Sequence, residues 1–326
     1  MVCMCHMYVL FPSFCAQETR LPITVNVLQT LGILGVPLFV MATGTLVLSK
    51  RFVSRKDVGR FYKKNILSLY VTGAVWSVLY QVFATPDTTW TDILLSILFV
   101  RKPAPHLWYL RMILIYYLLM PFLSYIFQHR KDISALLLLF SMSIFVVSGM
   151  KMLVFRSSCP TTPGWSMAVY LTYLFIGFRV CHLERLVQKS FCLFLFLLSV
   201  GALVLIRHCG MCSFLWYDNP LVLCASASLF LLLHDAGFQS TCPRAVKWAG
   251  KLSAMTFGVY LSHYAVLLFV VECQPSLLQS LQSIVPDTIT YVLMLVLCSL
   301  FTLVLSFLFV RSVMCIPFFS RLLVRI

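Results

Sequence analysis

Apolar residues run along this chain in long blocks, and the polar residues are gathered between them. A helix needs about 20 mostly apolar residues to cross the hydrocarbon core of a bilayer. Blocks that meet or approach this length lie at 26–48, 65–84, 107–127, 134–150, 165–181, 190–206, 217–234, 252–272 and 288–310. A further apolar stretch covers 1–14. Its apolar residues make only ~18 Å of helix, against a hydrocarbon core of ~30 Å. It is expected to be the second half of a truncated spanning helix, with a short interfacial or re-entrant segment as the alternative. The pattern therefore predicts an all-α integral membrane protein, a bundle of about ten transmembrane helices. The connections are short, so neighbours in sequence are expected to pack as neighbours. No segment is long enough for a second domain, and residues 1–326 read as one transmembrane domain.

Composition sharpens this picture. Apolar residues make up 61% of the chain and charged residues 11%, where a soluble domain carries about a quarter charged. The net charge of +15 would point to nucleic acid in a soluble protein. Here the basic residues sit between apolar blocks, so membrane lipids are the expected partner and nucleic acid is not. If the loop 49–64 is cytoplasmic, it and the alternate connections hold 18 of the 25 basic residues. That bias puts both termini on the cytoplasmic side of a plasma (inner) membrane.

Within the blocks, Gly35, Pro37 and Gly44 predict a kinked, closely packed second helix. Trp76, Trp90, Trp108, Trp165 and Trp216 are expected at span ends or in loops, where indole favours the interface. Cys159 to Gly164 reads as a stiff, turn-rich loop. His208-Cys209-Gly210-Met211-Cys212 has metal-like spacing, but no second ligand pair accompanies it, and a solvated loop is the preferred reading.

Ionisable groups inside a bilayer are costly, so each is a candidate for function. All ten carboxylates fall in loops or at span ends, which argues against paired-carboxylate chemistry within the membrane. The histidines remain. His6 sits in the first apolar stretch and could take a proton from an attacking hydroxyl; a packing histidine is the alternative. His263 lies mid-block, where it either faces a cavity or bonds a neighbouring helix. His106, Trp108 and Arg111 open the fourth block and are expected near the outer interface, as a sugar or phosphate site or as ordinary anchors. The run 50–64 sets topology, binds lipid headgroups, or holds the phosphates of an anionic co-substrate.

Several segments together resemble a known family. Val36-Pro-Leu-Phe-Val-Met-Ala-Thr-Gly44 is similar to the second-helix signature of the membrane-bound acyltransferase family 3. Phe61-Tyr-Lys-Lys-Asn65 resembles the basic entry to its third helix, and His106-Leu-Trp-Tyr-Leu110 its H-x-W-aromatic-L segment. Thr256-Phe-Gly-Val-Tyr-Leu-Ser-His263 resembles its late G-x-Y-L-x-H segment, and Met1 to Leu10 the second half of its first helix. Two departures stand out. Asn65 and Ser68 occupy positions where the family often has arginine, and the arginine that precedes the family's essential histidine would fall before Met1.

The resemblance implies ten helices and an O-acyltransferase of the kind that modifies bacterial surface glycans. No bound cofactor is implied; acetyl-CoA or another acyl-CoA is the co-substrate, and a glycan or lipid-linked sugar hydroxyl is the acceptor. His6 takes the place of the essential histidine. Arg60, Lys63 and Lys64 are placed to meet the CoA phosphates, and His106, Trp108, Arg111, Tyr260 and His263 to meet the acceptor. A transporter or flippase, or a non-catalytic relative, is the competing reading. Neither an internal repeat nor a mid-membrane acid favours transport.

Overall fold

The computed structural model describes residues 2–10, 23–84, 87–155, 163–182, 188–210, 216–235, 243–272, 287–318 and 323. Among them every regular element is helical. Seven helices are long and apolar enough to cross a membrane, and residues 168–181 and 220–234 form two shorter apolar helices. Together with the short helix at the start, these account for the ten apolar blocks. The chain is an all-α, multi-pass membrane protein.

In chain order the helices are α1 (Val2–Leu10), α2 (Ile23–Ile33), α3 (Gly35–Leu48), α4 (Arg55–Phe61), a π-helical stretch (Tyr62–Leu67), and α5 (Ser68–Ala84). Then come α6 (Trp90–Ile97), a 3-10 turn (Pro105–Leu107), α7 (Trp108–His129), α8 (Lys131–Phe155) and α9 (Pro163–Cys181). The chain closes with α10 (Lys189–His208), α11 (Pro220–Asp235), α12 (Pro243–Glu272) and α13 (Asp287–Met314). The expected kink of the second block is a break at Leu34, between α2 and α3. Pro37 has no N–H to give the Ile33 carbonyl four residues back. The helix restarts instead, and Leu38 N–H bonds the Leu34 carbonyl at 3.2 Å.

The chain is divided between two compact units. The first holds residues 1–51 and 122–237, the second 52–121 and 238–326.

In the first unit α3 and α9 meet backbone to backbone. A Cβ at Gly44 would run into the Leu174 carbonyl, and one at Gly177 into the Met41 carbonyl. Lipid offers apolar side chains little reason to leave it, so close van der Waals approach through small residues holds such a pair together. Thr45 adds a hydrogen bond from its hydroxyl to the Gly177 carbonyl at 2.9 Å. The last carbonyls of α3 lack helical donors, and α7 supplies them. Ser124 Oγ donates to Leu48 at 3.1 Å, and Gln128 Nε2 to Leu48 at 2.7 Å and to Lys50 at 3.0 Å. Leu34, Leu203, Val222 and Ala225 form a buried apolar core between α2, α10 and α11. Arg179 near the end of α9 donates to Ser134 Oγ at 2.7 Å and lies over the Phe127 ring.

In the second unit Val259 of α12 and Val310 of α13 are buried against each other's helices. Trp76 is buried in the middle of α5 and donates to the Leu323 carbonyl at 2.9 Å, so it is no interfacial anchor. Trp90 and Trp216 are exposed as expected. The side chain of Trp165 and residues 159–162 of the turn-rich loop lie outside the described residues. Helix α6 is opened by a capping box: Thr89 Oγ1 accepts from the Asp92 N–H, and the Asp92 carboxylate accepts from the Thr89 N–H at 3.0 Å. Arg101 pairs with the same carboxylate. The Thr89 N–H and hydroxyl, with Arg101, hold the Asp92 carboxyl below the usual carboxylate range.

Candidate functional site

The second unit gathers three of the sequence-expected residues into one aromatic cluster. The 3-10 turn before α7 carries His106 inward, to 2% exposure. It is enclosed by protein, although it stands at the head of its span. Its ring packs against Tyr80 at 5.2 Å between centroids, Tyr260 at 5.4 Å, His263 at 5.0 Å and Tyr264 at 5.3 Å. Tyr109 joins through Tyr260 at 5.6 Å.

Hydrogen bonds fix this cluster to the backbone. The Tyr260 hydroxyl donates to the His106 carbonyl. His263 Nδ1 lies 2.5 Å from the Tyr260 carbonyl. A carbonyl only accepts, so Nδ1 carries the proton. Tyr80 reaches over from α5. Its hydroxyl donates to the Leu261 carbonyl at 2.7 Å and accepts from the Ala265 N–H at 3.1 Å. These are the two groups that an α-helix joins to each other, and they straddle His263. The ring therefore sits on a helical turn clamped from outside.

Trp108 and Arg111 lie further along α7, both partly exposed. The Trp108 ring leans on Tyr109 at 6.1 Å, and Arg111 donates to the Phe99 carbonyl at 3.4 Å. Lys102 lies near enough to Arg111 that burial and this second cation push its ammonium below the usual lysine range.

The basic entry lies in the same unit. Arg60, Lys63 and Lys64 are all exposed, on the last turn of α4 and the π-helical stretch. Arg60 makes a 3.7 Å pair with Asp57 at 76% side-chain exposure, a contact of little energetic weight in that setting. The rest of the entry is anchored from behind. The Tyr62 hydroxyl donates to the Leu118 carbonyl at 2.9 Å, and Phe61 packs on Tyr117 and Phe52. Beside Lys63 runs a groove of about 330 Å³, walled by Tyr62, Ile66, Leu67, Tyr70 and Leu118.

His6 belongs to the first unit, half-buried on α1. The preceding residue, Cys5, lies within electrostatic reach of Arg207 and Tyr217. Arg207, near the end of α10, donates to Gln29 of α2. His208 and Cys209 close α10, while Met211 and Cys212 lie outside the described residues.

The family comparison bears on what such a helical protein does. The model of the acyltransferase 3 family, described as an acyltransferase domain, matches residues 1–311, nearly the whole chain. The chain belongs to the acyltransferase 3 family. No curated protein and no solved structure shows a significant match.

As a member of the acyltransferase 3 family the protein is an integral membrane acyltransferase. Several residues around the expected positions were not picked out from sequence. Tyr80 and Tyr109 carry no local signal in the apolar blocks. Tyr264 could have been found, since it stands four residues after Tyr260 and so on the same helix face. Gln29 could also have been found: with Asn26 and Thr30 it makes a polar stripe at i, i+3 and i+4 in an otherwise apolar helix.

Proposed function

We propose that this acyltransferase moves an acetyl group from acetyl-CoA to a sugar hydroxyl of a cell-surface glycan or its lipid-linked precursor. In the reaction the acceptor oxygen bonds to the thioester carbonyl carbon, the C–S bond breaks, and CoA leaves as its thiol. His6 accepts the acceptor hydroxyl's proton as oxygen attacks.

One observation carries the donor side. Arg60, Lys63 and Lys64 are exposed together at a helix entry, and an apolar-walled groove begins at Lys63. Clustered cations beside an open apolar groove suit a molecule with a phosphorylated head and a less polar arm, which is the build of an acyl-CoA. On the acceptor side, Trp108, Arg111 and Tyr260 are partly exposed, and the buried His106 and His263 pack against Tyr260. His106, Trp108, Arg111, Tyr260 and His263 are the residues assigned to it. Membrane lipids are the remaining partners, and the bias of basic residues supports a plasma (inner) membrane setting with cytoplasmic termini.

The test is CoA release by the purified, detergent-solubilised protein with acetyl-CoA and a panel of glycan acceptors, His6→Ala beside the wild type. Acceptor-dependent release that vanishes in His6→Ala supports the reading. Release that is unchanged in His6→Ala removes His6 as the base, and absence of both release and acyl-CoA binding removes the acetyl-CoA reading.

A further inference from the structure

Helix α2 is apolar by composition, yet Asn26, Gln29 and Thr30 are 1%, 3% and 1% exposed on one of its faces. Polar groups enclosed this far are costly without hydrogen-bond partners. Arg207 donates through Nη1 to Gln29 Oε1, and that bond fixes the amide. Its oxygen faces the guanidinium, so the other end is the N–H donor. This Nε2 is enclosed and has no hydrogen-bond partner among the described residues. The Thr30 hydroxyl on the next residue is in the same position.

A guanidinium and an amide N–H, held together by one hydrogen bond, make a site built of donors. Its natural ligand is a group built of acceptors. A planar guanidinium fits the edge of a carboxylate or phosphate, where two oxygens can be met at once. The location gives this a purpose. Helix α2, which carries Gln29, packs against both α1, which carries His6, and α10, which carries Arg207.

We infer that Arg207 and Gln29 bind an oxyanion, a carboxylate or a phosphate, carried by the acyl acceptor. The acceptor would then be an acidic sugar or a sugar phosphate rather than a neutral glycan. Assigning the oxyanion to the acceptor rests on the acyl-transfer reading above; the anion site itself stands on Arg207 and Gln29.

The test is thermal unfolding of the full chain in detergent with sodium phosphate, sodium glucuronate or glucose, at ionic strength matched with sodium chloride. Three variants accompany the wild type. Gln29→Glu keeps an oxygen for Arg207 but replaces the N–H donor with a charge that repels anions. Gln29→Met removes both polar ends, and Arg207→Lys keeps the charge but loses the planar fork. Phosphate or glucuronate is expected to raise the wild-type Tm by several degrees, as a ligand of the native state does, and glucose to leave it unchanged. Apparent anion affinity is expected to fall at least tenfold in each variant that folds. The anion that stabilises best separates phosphate from carboxylate. Failure of both anions to raise the wild-type Tm overturns the inference, as does an undiminished rise in the variants, which would place anion binding on the basic loops. CoA release is scored separately. Anion binding without acyl transfer defeats the transfer reading and leaves the site, whereas transfer without anion binding does the reverse.

Discussion

Gly44 lies so close to the Leu174 carbonyl that no Cβ fits between them. The same holds for Gly177 against the Met41 carbonyl, so α3 and α9 touch through two glycines facing opposite ways. Neither obstacle is the end of a flexible side chain, and relief requires the helices to part. Gly44→Ala and Gly177→Ala are each expected to destabilise the protein by about 1–3 kcal/mol, the usual cost of overpacking. Gly201→Ala, where open space surrounds the Cα, is expected to be neutral or slightly stabilising by helix propensity. Thermal unfolding in detergent compares the three.

Tyr80 clamps the helical turn that carries His263 with one hydroxyl. Tyr80→Phe keeps the ring contacts with His106 and Tyr264 but drops both backbone hydrogen bonds. A stability loss of about 1–3 kcal/mol is expected from the polar groups left behind. If the cluster binds the acceptor, KM for the acceptor should rise while KM for acyl-CoA stays unchanged. Steady-state CoA release with each substrate varied in turn checks this, and equal effects on both would count against an acceptor role.

The exposed basic entry should reveal itself through salt. Lys63→Glu and Lys64→Glu are each expected to raise KM for acyl-CoA about tenfold at low ionic strength. The difference from wild type should shrink as salt is added, because exposed charges are screened over about 10 Å at 0.1 M. A salt-independent defect would mean the substitutions act on the fold.

Asp92 gives a pH dependence with a definite sign. Its folded value is depressed by the Thr89 N–H and hydroxyl and by Arg101. Its contribution to stability is therefore complete above the unfolded value of about 3.9, and is lost as pH falls through the lower folded value. Amide exchange at the start of α6 is expected to show no change in opening free energy from this group between pH 5 and 8. Asp92→Asn should raise opening by a constant factor over that range, with the difference closing below about pH 4.

Hydropathy makes the helices legible because lipid imposes one demand, an unbroken apolar run, that the sequence displays openly. It reveals less about what a helix does inside its run. Pro37 announces a disturbance, but the break falls at Leu34, next to the Ile33 carbonyl whose helical hydrogen bond Pro37 cannot make. His106 stands at the head of an apolar block, and nothing in that pattern announces that the 3-10 turn carries it into a nest of tyrosines. Those tyrosines come from three helices far apart in sequence, and no spacing rule connects Tyr80 to Tyr260. Arg207 reads in the sequence only as one more basic residue, because its partner Gln29 lies 178 positions away. The basic entry is legible, since Arg60, Lys63 and Lys64 lie within five positions and are all exposed.

The π-helical stretch Tyr62–Leu67 determines which length changes this part of the chain tolerates. A π-turn absorbs one residue that an α-helix has no room for. Arg60 thus keeps the angular phase, relative to α5, of a helix one residue shorter. Removing a single residue between Tyr62 and Leu67 would convert the stretch to regular helix and leave the faces on both sides in place. Removing one from the regular turns of α5 after Tyr70 would rotate everything before it by about 100°, carrying the basic entry and the groove walls beside it away from Leu118. The six π residues are the place where this helix can gain or lose a residue without losing its bearings.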